Sequence, residues 1–146
     1  MSDRFVLLVE DDPDQVTLAL RAFRKHGVAD AVDDIVVMRD GAEALDYLLG
    51  TGAYAGRDAS ETPEFVLLDV NLPKMSGLEV LKRLRADKRT ELLPVILYSS
   101  SDERADVVEG YRSGANSYVA KPSDFDTFSE VMRTLGWYWL EWNKAP

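Results

Sequence analysis

The sequence predicts an α/β fold of (βα)5 type: a doubly wound, five-stranded parallel sheet with helices on both faces. Three observations predict it. Short apolar runs begin at Phe5, Ile35, Phe65 and Val95, a spacing of 30 residues, and a fifth follows at Tyr118. That spacing is about one strand–helix unit with its turns. The runs are continuous rather than alternating, as strands covered on both faces require. Between them, apolar residues fall at i, i+3, i+4 and i+7, the signature of one buried helical face. The segments share no motif, so the rhythm is supersecondary and not a sequence repeat.

The elements follow in order. The first strand is Phe5-Val6-Leu7-Leu8-Val9. Asp12 caps a helix with Pro13 at its first position. Val16, Ala19, Leu20 and Phe23 form its buried face, and Gly27 stops it. His26, just before that stop, reads as a charge complement to the helix C-terminus. The second strand covers Ile35 to Met38. Asp40 and Glu43 have capping-box spacing ahead of Leu45, Leu48 and Leu49, with Gly50 behind them. Residues 51–63, rich in Gly, Ala, Ser and Thr, read as a mobile loop insertion. The third strand covers Phe65 to Leu68, and Ser76 and Glu79 make a second box before Val80, Leu81 and Leu84. The fourth covers Val95 to Tyr98, followed by a shorter helix from Asp102 to Ser113. After the fifth strand, Tyr118 to Ala120, Ser123 opens the last helix. Phe128, Met132, Leu135, Trp139 and Trp142 form one stripe along it.

The 146 residues fit one domain, 1–146, able to bury a sizeable core. There is no cysteine, which excludes a thiol nucleophile, a thiolate metal site and a haem-attachment motif. A single histidine excludes a His-rich metal centre. With 17 basic and 26 acidic residues the net charge is −9, against direct nucleic-acid binding and against anionic membranes. No apolar run approaches the roughly 18 residues of a membrane span, and Phe5–Val9 is too short for a signal-peptide core. The expectation is a soluble, cytoplasmic protein.

In open parallel sheets, chemistry gathers at the C-terminal strand edges, where strand order reverses. Glu10, Asp11 and Asp12 follow the first strand; Asp69, Val70 and Asn71 follow the third. Ser99, Ser100 and Ser101 end the fourth, and Lys121 and Pro122 the fifth. In the flavodoxin-like order 2-1-3-4-5, taken over from known sheets and not from the spacing, strands one and three flank the reversal. Glu10, Asp11 and Asp69 then meet. Their repulsion raises at least one pKa unless a cation sits among them, and an all-oxygen donor set suits Mg²⁺. A carboxylate beside Mg²⁺ and a lysine is a candidate nucleophile for phosphoryl transfer. Each residue alone has a blander reading. An acid after a strand is often a helix cap, as Asp12 is here, a lone serine is a turn residue, and a lone lysine is solvated. Acid pair, single acid, hydroxyl and lysine at one edge of successive strands together outweigh those readings.

At these residues the chain resembles the receiver domain of two-component response regulators. The carriers are Leu7–Pro13 (LLVEDDP), Leu67–Leu81 (LLDVNLPKMSGLEVL), Pro94–Ser101 (PVILYSSS) and Gly114–Pro122 (GANSYVAKP). The resemblance implies Asp69 as phosphoacceptor. It implies Mg²⁺ held by the acid pair, Asp11 directly and Glu10 through water, together with Asp69 and the main-chain carbonyl of Asn71. It makes Ser99 the hydroxyl that follows the phosphoryl group, Lys121 its cationic partner and Tyr118 the aromatic that turns inward on activation. It also implies a cis peptide before Pro122. A sensor histidine kinase is the implied donor, with the signal passed on by protein contact. The 51–63 loop and the aromatic end, 136–146, exceed a minimal receiver and are similar to stand-alone receivers paired with bacterial phytochrome kinases. Trp137, Tyr138, Trp139 and Trp142 are too many large aromatics for one helix to bury; Trp139 reads as core, and Trp137, Tyr138 and Trp142 as interface candidates for a homodimer through the last helix and fifth strand. A flavodoxin-like cofactor binder would need a Ser/Thr/Gly loop after the first strand, and an aspartyl phosphatase a D-x-D there. A phosphorylation-independent receiver-like interaction module usually lacks an acid or the lysine, and here all are present.

Overall fold

The computed structural model describes residues 4–146. Its strands are β1 (Phe5–Val9), β2 (Asp34–Met38), β3 (Val66–Asp69), β4 (Val95–Ser99) and β5 (Ser117–Ala120). All pair in parallel, in the order β2-β1-β3-β4-β5, as expected. The three central strands are buried at every residue, which is why their sequences are apolar throughout.

Period-two alternation sorts these strands between two cores. Val6, Leu8, Leu67, Ile96 and Tyr98 face α1 (Pro13–Lys25) and α6 (Phe125–Gly136). Leu7, Val9, Val66, Leu68, Val95 and Leu97 face α3 (Gly41–Leu49) and α4 (Gly77–Arg85). A short helix, α2 (Val28–Ala31), follows the left-handed turn at Gly27 (φ 76°) and escapes the apolar periodicity because it is one turn long. The remaining helix, α5 (Arg104–Arg112), buries only Gly110 within its span.

The caps follow the sequence closely. Asp12 accepts from the Asp14 amide, Asp40 from Ala42 and Glu43, and Ser76 from Glu79. Each such cap stabilises by about 1 kcal/mol. At α6 the cap is Asp124, whose carboxylate accepts from the Thr127 amide; Ser123 lies one residue outside. His26 does more than complement a helix end, since its Nε2 lies 2.8 Å from the Oγ of buried Ser129 and ties α1 to α6.

Residues 51–63 are anchored to the fold at Arg57 and at a short turn. The Arg57 guanidinium lies 4.0 Å from the centroid of the Tyr47 ring and 5.7 Å from that of Phe5. It also donates to the Tyr47 and Glu61 carbonyls. A 3-10 turn at Gly52–Tyr54 is held by Tyr54 to Glu43 and Thr51 to Asp46. Past α6 the chain widens into a π-helical turn, Trp137–Trp142. Widening to i→i+5 bonds shifts the helical phase. Leu140 therefore takes the core position, and Trp142 leaves the stripe expected of it. Among the described residues no helix is long and apolar enough to cross a membrane.

One position is strained. Lys74, in the loop after β3, has φ 65°, a left-handed conformation that crowds any Cβ. Its ion pair with Asp40 (3.6 Å) is exposed on the lysine side and adds little. Lys74→Gly is expected to stabilise the fold by about 0.5 to 1 kcal/mol, measured as a raised denaturant midpoint at unchanged m-value.

Candidate functional site

The alternation that builds the α1/α6 core also builds the site. Two residues beyond Leu8 on the same face is Glu10, and two beyond Leu67 is Asp69. Two beyond Val119, which packs on that core, is Lys121. At the carboxyl ends of the strands the apolar face thus ends in charge. Lys121 Nζ lies 3.1 Å from Asp69 Oδ2 and 3.2 Å from Glu10 Oε2. Glu10 and Asp69 are both buried, and Asp11 sits exposed at the rim. One carboxylate oxygen from each of the three acids lies within 4.8 Å of the others.

Every buried side-chain polar atom among the described residues has a partner. Glu10 Oε1 accepts from the Asp12 amide (3.1 Å), and Oε2 from both Lys121 and the Tyr98 hydroxyl. Asp69 Oδ1 accepts from the Asn71 amide (2.9 Å). Burial above all, and the adjacent Glu10 carboxylate, push the Asp69 pKa from 3.8 up to about 6, against the pull of the Asn71 amide and Lys121. Burial and the neighbouring Glu10 carboxylate also raise the Tyr98 phenol far above its ordinary value. Asp69 is thus a carboxylate short of positive charge, in a site with three acids and one ammonium.

Those facts test a metal. The donors are all oxygen, and a span of 4.8 Å is near twice a divalent metal–oxygen distance of about 2.1 to 2.5 Å. A cation here would relieve the repulsion that raises the Asp69 pKa. The residues fit a divalent metal.

Ser99 and Tyr118 have the opposite parity and lie on the other face. Ser99 is buried, and its Oγ accepts from the Ser101 amide at 3.2 Å. With Ser101, Asp106 and Asn71 it lines a small cleft closed on one side by Tyr118. The half-buried Tyr118 ring packs over Gly110, where an added Cβ would come within 2.8 Å of it, and its hydroxyl donates to the Ser101 carbonyl. Ser101 also binds Asp106, a rim acid that the strand-edge pattern did not single out.

The peptide before Pro122 is trans, not the cis form expected. Trans is the intrinsically favoured isomer, by about 0.5 to 1 kcal/mol, and Lys121 reaches both carboxylates from it. The interface candidates stand out from the fold: Trp137 is 54%, Tyr138 47% and Trp142 63% exposed. Trp139 packs on the α1/α6 core.

Comparison with known proteins decides the family. The model of the response regulator receiver domain matches residues 6–133. The chain belongs to that family. This receiver is 37% identical to the probable methanogenesis regulatory protein FilR2 of Methanothrix harundinacea, over 97% of this chain and 86% of the relative. It superposes on the phosphorylated cyanobacterial phytochrome response regulator RcpA with a TM-score of 0.88, at 29% identity, over 99% of both chains. On the bacteriophytochrome response regulator AtBRR the TM-score is 0.73 at 41% identity, over 97% of this chain and 96% of the other. Signalling by phosphorylation is the function of the family, its members interact with sensor histidine kinases, and the acidic cluster of this receiver fits their divalent metal site.

Proposed function

We propose that residues 1–146 work in the cytoplasm as one receiver domain, taking a phosphoryl group from a phytochrome-type sensor histidine kinase onto Asp69. The observation that carries this is the position of Asp69: a buried carboxylate where strand order reverses, touched by Lys121 and adjacent to Glu10 and Asp11. An Asp69 carboxylate oxygen attacks the phosphorus of a kinase phosphohistidine. The N–P bond breaks with its electron pair passing to the imidazole, which takes up a proton, and the product is an acyl phosphate. The raised pKa of Asp69 reflects an anion poorly solvated in its site, the form that attacks once a cation offsets its charge.

Glu10, Asp11, Asp69 and the Asn71 carbonyl would hold Mg²⁺, which supplies charge neutralisation at the phosphoryl oxygens. Lys121 adds a second positive charge beside the same oxygens. The Asn71 amide fixes Asp69 Oδ1 and so orients the carboxylate. Ser99 offers its hydroxyl to the new phosphoryl group, and movement towards it breaks the Ser99–Ser101 contact in the loop that also holds the Tyr118 hydroxyl. That coupling makes loop and ring one two-state element biased by a local charge event.

The likeness to phytochrome response regulators supports the kinase class. Purified phytochrome-type kinase, carrying labelled phosphate on its histidine, is expected to lose label to this receiver in Mg²⁺ and not in EDTA. Retention of label on the kinase under both conditions overturns the pairing. The exposed Trp137, Tyr138 and Trp142 support a homodimer through α6, its π-helical end and β5. Sedimentation is expected to show a dimer that the triple alanine variant loses; a monomer at high concentration, phosphorylated or not, removes the dimer.

A further inference from the structure

We propose that Tyr98 is a positioning residue of the phosphoacceptor site, its hydroxyl fixing Glu10 and its ring carrying Lys121. The proposal rests on the reading of Glu10, Asp11 and Asp69 as a cation site. Lys121 leaves the end of β5, two strands from β3 and three from β1. Strands are about 4.8 Å apart, so the side chain must cross β4 to reach Asp69. The residue it crosses is fixed by register. Tyr98 is paired with Asp69 on one side and with Val119 on the other, and it faces the same core as both. Lys121 Nζ lies 4.4 Å from the centroid of the Tyr98 ring, over an aromatic face that attracts a cation.

The far end of the same ring carries a donor. The Tyr98 hydroxyl donates to Glu10 Oε2, the oxygen that also accepts from Lys121, while the Asp12 amide holds Oε1. Glu10 is thus pinned by three donors, one from its own loop, one from β4 and one from just past β5, within reach of Asp11 and Asp69. Phenylalanine would fill this buried space as well as tyrosine does. What it lacks is the one atom aimed at a carboxylate of the site. Partners that orient a metal-site carboxylate from behind commonly change metal affinity by about tenfold or more when removed.

Tyr98→Phe keeps the ring and removes the hydroxyl, whereas Tyr98→Leu removes both. Calorimetric titration with Mg²⁺ is expected to show about tenfold weaker binding in Tyr98→Phe. At saturating Mg²⁺, labelling by acetyl phosphate is expected to be slower in Tyr98→Leu than in Tyr98→Phe, because only the former loses the track for Lys121. A tyrosine that merely filled volume would lower the melting temperature and leave Mg²⁺ affinity alone. Parent and Tyr98→Phe affinities within twofold overturn the role of the hydroxyl, and equal labelling rates in the two variants overturn that of the ring. A parent protein that binds no Mg²⁺ overturns the cation site itself, and the proposal with it.

Discussion

Asp69→Asn is expected to abolish labelling by acetyl phosphate and, in the same protein, to raise the stability of the metal-free fold at neutral pH. The two effects share one cause. Folding buries Asp69 beside Glu10 and raises its pKa from 3.8 to about 6. The folded state therefore binds protons more tightly than the unfolded chain, so stability is lost as pH rises from about 4 through 6. Well above that window the ionised carboxylate costs about 2 to 3 kcal/mol that a neutral amide does not. Denaturation in EDTA at pH 7.5 should show Asp69→Asn the more stable protein. The gap should close as pH falls towards 4, where the parent carboxyl is protonated when folded. Mg²⁺ should narrow it too, since binding stabilises the parent by mass action. Equal stability of the two proteins from pH 4 to 8 would mean that Asp69 is not strained by its site.

Lys121→Ala is expected to act in the opposite direction. Lys121 touches both Glu10 and Asp69, whose side chains are 1% and 3% exposed. Removing one partner of a buried ion pair typically costs about 3 to 5 kcal/mol, because the remaining charge stays buried without compensation. Here two carboxylates lose the same cation. The metal-free variant should be less stable by at least about 3 kcal/mol at pH 7.5, and Mg²⁺ should restore part of the loss. Labelling should survive, because the nucleophile and the three acids remain, but it should slow. The Tyr118 and Ser99 response should uncouple from it, read as an unchanged Tyr118 environment by NMR on phosphorylation. A variant as stable as the parent in EDTA would contradict the ion pairs as drawn.

The parts of this molecule that were legible in the sequence are those set by a period. Continuous apolar runs marked the five strands, most strongly the three central ones, where burial on both faces leaves no room for alternation. Capping residues gave α1, α3 and α4, because a cap acts within three residues. The acids and the lysine were legible because each sits at the end of a strand, where topology alone brings them together. What escaped depends on contacts between distant residues. Arg57, in the 51–63 loop, stacks on Tyr47 and Phe5, a pairing with no local signature. The π-helical turn shifts the phase of the aromatic end, so a stripe drawn at 100° per residue overlooks Leu140 as the core residue of that turn. Tyr98 was hidden inside an apolar run. Its parity with Glu10, Asp69 and Lys121 follows from the strand pattern, but its hydroxyl contact with Glu10 appears only when β1, β3 and β4 are side by side.

The measurement closest to the central claim is intact-protein mass spectrometry after incubation with acetyl phosphate, followed by peptide mapping. The expected result is the mass of one phosphoryl group, gained in Mg²⁺ and absent in EDTA, mapped to Asp69. A phosphoryl group on any other residue, or equal gain with and without Mg²⁺, would contradict Asp69 as the Mg²⁺-dependent phosphoacceptor.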